Sequence, residues 1–324
     1  MNRNNYLSTM ESLPNEILMD LYQYFDGQEL YNTFYNLNSR FNSLVQSLSH
    51  LSLYYQSSFN NIINYNIIFS SQIYTLNIYT KQNIKFNQFF NVHRFIIWFP
   101  TDEQIFQINS KSFPYLEYLS ISYSLVKPSI YSLYQIIFSN GFPLLKSCLL
   151  SGQELPIDTI IWNQSLNIQY LNITSISPNI LNACPNLYYL NLVLPTLCNI
   201  SKNFNIYFNL KRMKLILTSI VWFENEKNFE ILFSSMPNIE RLSLHKLFSI
   251  INSIDLLLNY DWLSTIISHY LPLLKQFTYY IYIFNLLDID QIDIDQNIPQ
   301  IKEKFSKIYK NQSEYYLKIK QYNT

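Results

Sequence analysis

Across 324 residues the chain carries 22 basic and 22 acidic side chains, so no overall field draws it to nucleic acid or to an anionic membrane. Charged residues make up only 14%, while 48% hydrophobic and 17% aromatic content supply ample apolar surface for a folded core. Only three glycines occur, Gly27, Gly141 and Gly152, so neither a glycine-rich phosphate loop, nor a dinucleotide-binding turn, nor a G-x-S-x-G nucleophile elbow can be written.

Residues 1–10 are polar, with no apolar run of a secretory leader, and are expected to be a flexible N-terminus of a cytoplasmic and/or nuclear protein. From Ser12 the spacing becomes helical. Pro14 suits a first helical position and Glu16 the first turn, and Ile17, Leu18, Leu21, Tyr24 and Phe25 form one apolar stripe. Asp26-Gly27 ends that helix, and Asp26 with Glu29 three residues on spells a capping box for a second helix bearing Leu30, Phe34 and Leu37. Asn38 is a good N-cap for a third helix carrying Phe41, Leu44, Val45 and Leu48. Three short helices make a small core, which needs a partner or a neighbouring domain.

Residues 11–50 resemble an F-box. The resemblance rests on Leu13-Pro14, Glu16-Ile17-Leu18, Leu21, the aromatic pair Tyr24-Phe25 and the closing segment Leu37 to Leu44. It implies docking onto a Skp-type adaptor of a cullin-RING ubiquitin ligase. Leu13, Pro14, Ile17 and Leu18 would meet the adaptor, and Leu21, Leu30 and Phe41 would support the contact or the internal core.

Beyond residue 50 one pattern recurs, P-x-L-x-x-L-x-L, as in PYLEYLSI from Pro114, PNLYYLNL from Pro185 and PNIERLSL from Pro237. Its middle anchors are Leu76, Phe95, Leu119, Cys148, Leu171, Leu190, Met213, Leu242 and Phe277. Most of their separations fall near the 20–29 residues of a leucine-rich repeat. The last two anchors of each copy lie two apart and so point inward from a strand, while the residues between face out. Ile130 to Phe138, Asn225 to Ser234 and Trp262 to Tyr270 have helical character between strands. No unit can bury its own face, so stacking is obligatory. The array is similar to the leucine-rich arrays that commonly follow an F-box. The Asn or Cys that usually follows the motif is replaced by Ser124, Gln153, Ile176, Pro195 or Leu247, which makes the repeats irregular. The chain holds 38 asparagines beside abundant Ile, Tyr, Lys and Phe, a composition that AT-rich coding produces, so single Asn and Tyr residues are discounted as signals.

A repeat array binds through its concave strand face. The outward positions are Tyr118, Ser120, Tyr170, Asn172, Tyr189, Asn191, Arg212, Lys214, Arg241, Ser243, Gln276 and Thr278. Tyr118, Tyr170, Asn172, Tyr189, Asn191, Arg212 and Arg241 are the candidate target-binding residues, because Tyr and Arg most often anchor interfaces.

No catalytic or metal constellation stands out. His50, His93, His245 and His269 are scattered, with no H-E-x-x-H, and His93 and His245 read as surface or satisfied polar residues. Cys148, Cys184 and Cys198 form no C-x-x-C and read as buried small hydrophobes of a reducing compartment. The stretch from Asp288 through Asp290, Asp293 and Asp295 lacks an EF-hand's loop glycine and is expected to be an acidic edge. The lysine-rich segment Ile298 to Lys320 is expected to be an amphipathic closing helix.

These expectations describe an α/β protein: a short three-helix N-terminal F-box over 11–50, an irregular leucine-rich-repeat solenoid over 51–287, and an acidic edge with a helical tail over 288–324. It would be a non-catalytic substrate-recognition subunit of an SCF-type cullin-RING ubiquitin ligase, with no cofactor, nucleic acid or membrane. The alternative is a leucine-rich interaction scaffold with a helical cap and no ubiquitin role.

Overall fold

The computed structural model describes residues 10–56, 69–82, 84–123, 128–152, 162–174, 178–194, 205–218, 226–248, 261–284, 299, 303 and 314–322. It is an α/β protein with parallel strands, in two compact units, 1–121 and 122–324. The first unit takes in both the N-terminal helices and the first strands.

In the first unit, α1 (Asn15–Tyr22), α2 (Gly27–Phe34) and α3 (Ser39–Ser47) fall where the periodicity places them. The Asp26 carboxylate accepts from the Gln28 and Glu29 amides at 2.8 Å, and the Glu29 carboxylate accepts from the Asp26 amide at 2.9 Å, completing the capping box. Asn38 caps α3 by accepting from the Phe41 amide at 2.9 Å. Leu18, Tyr22, Leu30, Phe34, Phe41 and Val45 form the helical core, with Tyr22 and Phe34 rings 4.8 Å apart. The buried stripe of α1 is turned from the expected one. Leu18 and Tyr22 lie inside at i and i+4, whereas Ile17 is 50% and Tyr24 86% exposed.

Strands β1 (Leu51–Gln56), β2 (Ile73–Tyr79), β3 (Arg94–Trp98) and β4 (Tyr118–Ser122) follow, with α4 (Asp102–Phe106) before β4. β1, β2 and β3 are parallel neighbours in chain order, with Leu53 opposite Leu76 and Leu76 opposite Phe95. The helices are tied to the strands. Gln72, just ahead of β2, donates to the Gln46 and Leu48 carbonyls at 2.7 and 2.6 Å, satisfying acceptors at the end of α3.

The second unit holds α5 (Pro128–Phe138), β5 (Ser147–Ser151), β6 (Tyr170–Ile173), α6 (Pro178–Ala183), β7 (Tyr189–Leu194), β8 (Arg212–Leu217), α7 (Glu226–Ser234), β9 (Arg241–Phe248), α8 (Asp261–Tyr270), β10 (Gln276–Phe284) and β11 (Glu314–Tyr322). Each strand from β5 to β11 pairs in parallel with the next. Cys148, Leu171, Leu190, Met213, Leu242 and Phe277 occupy one register row, each opposite the next. All are 2% exposed or less, as are Leu150, Ile173, Leu192, Leu215, Leu244 and Tyr279 two residues on. The recurring motif therefore marks both the inward face and the register.

Each unit of the pattern begins alike. The Lys146 carbonyl accepts from the Gln169 and Tyr170 amides, Gln169 from Tyr188 and Tyr189, Tyr188 from Lys211 and Arg212, Lys211 from Glu240 and Arg241, and Glu240 from Lys275 and Gln276. A second ladder runs beside it. The side-chain amide of Asn186 donates to the Leu166 carbonyl at 2.9 Å, Asn209 to Pro185 at 2.9 Å, Asn238 to Phe208 at 3.0 Å, and Asn167 to Pro143. Asparagine does bridge successive units, but ahead of each strand rather than after it.

Among the described residues, two strands lie outside the expected nine. β1 precedes the first recognised copy, and β11 replaces helix over the end of the expected closing segment. Tyr315, Leu317 and Ile319 alternate with Tyr316, Lys318 and Lys320, a period of two that extends β10's edge in parallel register. The aspartates at 288, 290, 293 and 295, and Cys198, lie outside the described residues. Among those described, no helix is long and apolar enough to cross a membrane.

Candidate functional site

The helical part of the first unit divides the expected adaptor-binding residues by exposure. Pro14 and Ile17 are exposed, and Leu13 and Leu21 half-buried. Leu30 and Phe41 are core residues, as one of their two expected roles required. Leu18 was expected to meet the adaptor, but it is fully buried against the other helices and has no surface to offer. What holds Leu13 and Pro14 in place is Arg40 on α3. Its guanidinium donates to the carbonyls of Glu11 and Leu13 at 2.5 Å each and to the Asn15 side chain at 2.8 Å. One planar fork thus pins the turn ahead of α1, a geometry that lysine cannot reproduce.

In the second unit the outward side chains of β7 to β10 converge. Tyr189, Arg212, Arg241 and Gln276 share one register row, and Asn191, Lys214, Ser243 and Thr278 the next. All of these but Asn191, together with His245 and Tyr280, line a shallow cavity of about 400 Å³. Tyr189, Arg212 and Arg241 are thus brought together. Tyr170 sits beside this cavity, its ring 6.3 Å from that of Tyr189, and is 44% exposed. Asn172 pairs with Asn191 in register, and Oδ1 of Asn191 is buried without a hydrogen-bond partner. Tyr118 belongs to the first unit, where the Arg94 guanidinium lies 4.4 Å above its ring.

His245 and Tyr280 complete the cavity one step beyond the repeat motif, where pattern reading stopped. Their rings stack at 4.4 Å, and the His245 Nε2 lies 2.8 Å from the Ser243 hydroxyl. That contact has the spacing of a nucleophile and its base. Burial, assisted by the Lys214 charge, lowers the imidazole pKa to about 4. At neutral pH the imidazole is therefore uncharged, and the pair forms a hydrogen-bonded wall of the cavity.

The other histidines are engaged with neighbours. His93 lies 3.1 Å from the Glu117 carboxylate and stacks between Tyr74 and Tyr115. Cys148 and Cys184 are buried, and burial pushes both thiols well above their usual pKa, which suits inert core residues. Among the described residues no group of three or more His, Cys, Asp or Glu could hold a metal ion. A feature of the first unit had no signal in the repeat motif: Tyr79, Trp98 and Phe99 are each more than 40% exposed, with Tyr79 and Trp98 stacked 6.0 Å apart.

Compared with known proteins, the chain matches no family model and no curated sequence.

Proposed function

We propose that this chain is the substrate-recognition subunit of an SCF-type cullin-RING ubiquitin ligase, acting in the cytoplasm or nucleus. Residues 11–50, which resemble an F-box, dock on a Skp-type adaptor. The strands that follow act as an irregular leucine-rich-repeat solenoid and hold a target protein on their outward face. The chain itself makes no covalent bond. Ubiquitin transfer is promoted because the assembled ligase raises the effective concentration of target lysines beside a charged conjugating enzyme.

One observation supports this reading above the others. A capped three-helix segment with Pro14 and Ile17 exposed is followed along the chain by strands whose L-x-x-L-x-L anchors recur in register, Leu76 opposite Phe95 in the first unit and Leu171 through Leu190 and Met213 to Leu242 in the second. The test is co-purification with a Skp-type adaptor, comparing the native chain with Pro14→Ala/Ile17→Asp. Both positions are exposed, so the fold should persist. The expected result is an adaptor complex weakened about ten-fold or more, since central apolar anchors dominate such interfaces. Failure to bind, or binding indifferent to these changes, would sink the proposal.

The rival is a leucine-rich scaffold whose helices merely cap the first strands. The Gln72 bonds to the end of α3 favour it, because they join helices and strands in one compact unit. An array that binds its partner normally with no adaptor at any concentration would be this scaffold.

A further inference from the structure

We propose that the outward face of β7 to β10 is a docking groove for an acidic peptide. Carboxylates of an Asp- or Glu-bearing segment of the partner protein seat on Arg212, Lys214 and Arg241, and the segment's apolar side chains lie against Tyr189 and Tyr280. This deepens the function proposed above, resting on the reading that the strand face holds a partner, and names that partner's chemistry.

The placement of the cations carries the argument. Arg212 and Arg241 stand opposite each other on neighbouring strands, and Lys214 is two residues along β8 on the same face. Adjacent strands are about 4.8 Å apart and a two-residue step is about 6.7 Å, so a few residues of extended peptide span all three charges. Like charges directly opposite one another in a sheet destabilise it. Two lysines just ahead of the strands share one carboxylate: Lys211 and Lys275 both reach Glu240, at 3.6 and 2.7 Å. None of the three cations in the groove has an ion pair among the described residues. Nε of Arg212 is moreover buried with no hydrogen-bond acceptor.

The surroundings favour peptide over nucleic acid. A nucleic-acid groove needs a track of cations following a phosphate backbone. Here the positions flanking the charges are neutral, as at Ser243, Gln276 and Thr278, and the whole chain has zero net charge. Neutral amides and hydroxyls bordering a cationic centre, with tyrosines on either side, fit a short acidic segment with one or two apolar side chains.

The test uses the full chain on an array of synthetic peptides graded from basic to acidic at constant tyrosine content, at low and high salt. Acidic peptides carrying Asp and Glu should be retained, less so as salt screens the contact. Arg212→Glu/Lys214→Glu/Arg241→Glu should shift the preference to basic peptides. Arg241→Gln, at an exposed position where folding is not at risk, should by itself weaken retention about ten-fold. Lys111→Glu, in the other unit, should change nothing. The proposal is overturned by retention without charge preference, by a preference that survives these substitutions, by retention of phosphorylated peptides alone, or by stronger binding of single-stranded oligonucleotides. Adaptor co-purification is read separately. An adaptor complex that ignores acidic peptides defeats the groove and leaves the ligase standing, and acidic-peptide binding without an adaptor does the reverse.

Discussion

Asn167, Asn186, Asn209 and Asn238 each reach back to a carbonyl just ahead of the preceding strand. Only the amide nitrogen donates, so the bond depends on the carboxamide and not merely on a polar side chain. Asn209→Ala and Asn209→Asp should therefore both lower stability by about 1 kcal/mol, seen as a lower denaturation midpoint, and an aspartate as stable as the native residue would contradict the assignment. Composition alone hides these residues among many asparagines. They recur, however, at the separations of the strand anchors Leu171, Leu190, Met213 and Leu242, always four residues ahead, so periodicity could have found them. Lys246 offers the opposite lesson. It points inward from β9 at 1% exposure, and burial lowers its pKa to about 6 from an ordinary 10.5. Between those values the unfolded chain holds a proton that the folded chain lacks, so stability rises with pH across that window and is least at its acid end. Lys246→Met should stabilise the protein most near pH 6, with the gain shrinking toward pH 10; urea melts at several pH values would test this. The alternation that turns Leu242 and Leu244 inward also turns Lys246 inward, but the motif ends at Leu244 and the residue type gives no warning that a lysine continues it.

At the level of elements, caps were the most legible signals. Asp26 with Glu29, and Asn38, act locally through bonds spanning three residues, which the sequence displays directly. The facing of α1 was less legible, since Ile17 and Leu18 are equally apolar and only packing against α2 and α3 decides between them. The Arg40 latch spans 25 to 29 residues and is invisible to periodicity. Arg40→Ala should speed amide exchange over residues 13–18 and weaken adaptor binding, and Arg40→Lys should not restore either. Glycine is required for close approach at two of its three positions. A Cβ on Gly152 would lie 2.2 Å from the Tyr123 ring, and one on Gly141 would lie 2.6 Å from the Ile136 carbonyl oxygen. Gly152→Ala should cost about 1–3 kcal/mol, and trimming Tyr123 in the same chain should recover part of the loss. A full loss with no recovery would point to a constraint other than this ring.

For the whole molecule, fold class followed from one repeated pattern, because a motif seen many times averages out its own irregularities. The groove was half legible: alternation assigned Tyr189, Arg212 and Arg241 to the outward face, but His245 and Tyr280 fall beyond the motif. The pairing of β5 to β11 in chain order has a kinetic consequence. Every strand meets a partner made just before it, so few contacts demand the closure of long loops, and local pairing of this kind folds quickly for its length. Folding can then proceed vectorially during synthesis, each finished strand serving as the template on which its successor settles. Nascent chains arrested just after β8 should already protect the amides of β6 and β7 from exchange, well before β11 has left the ribosome.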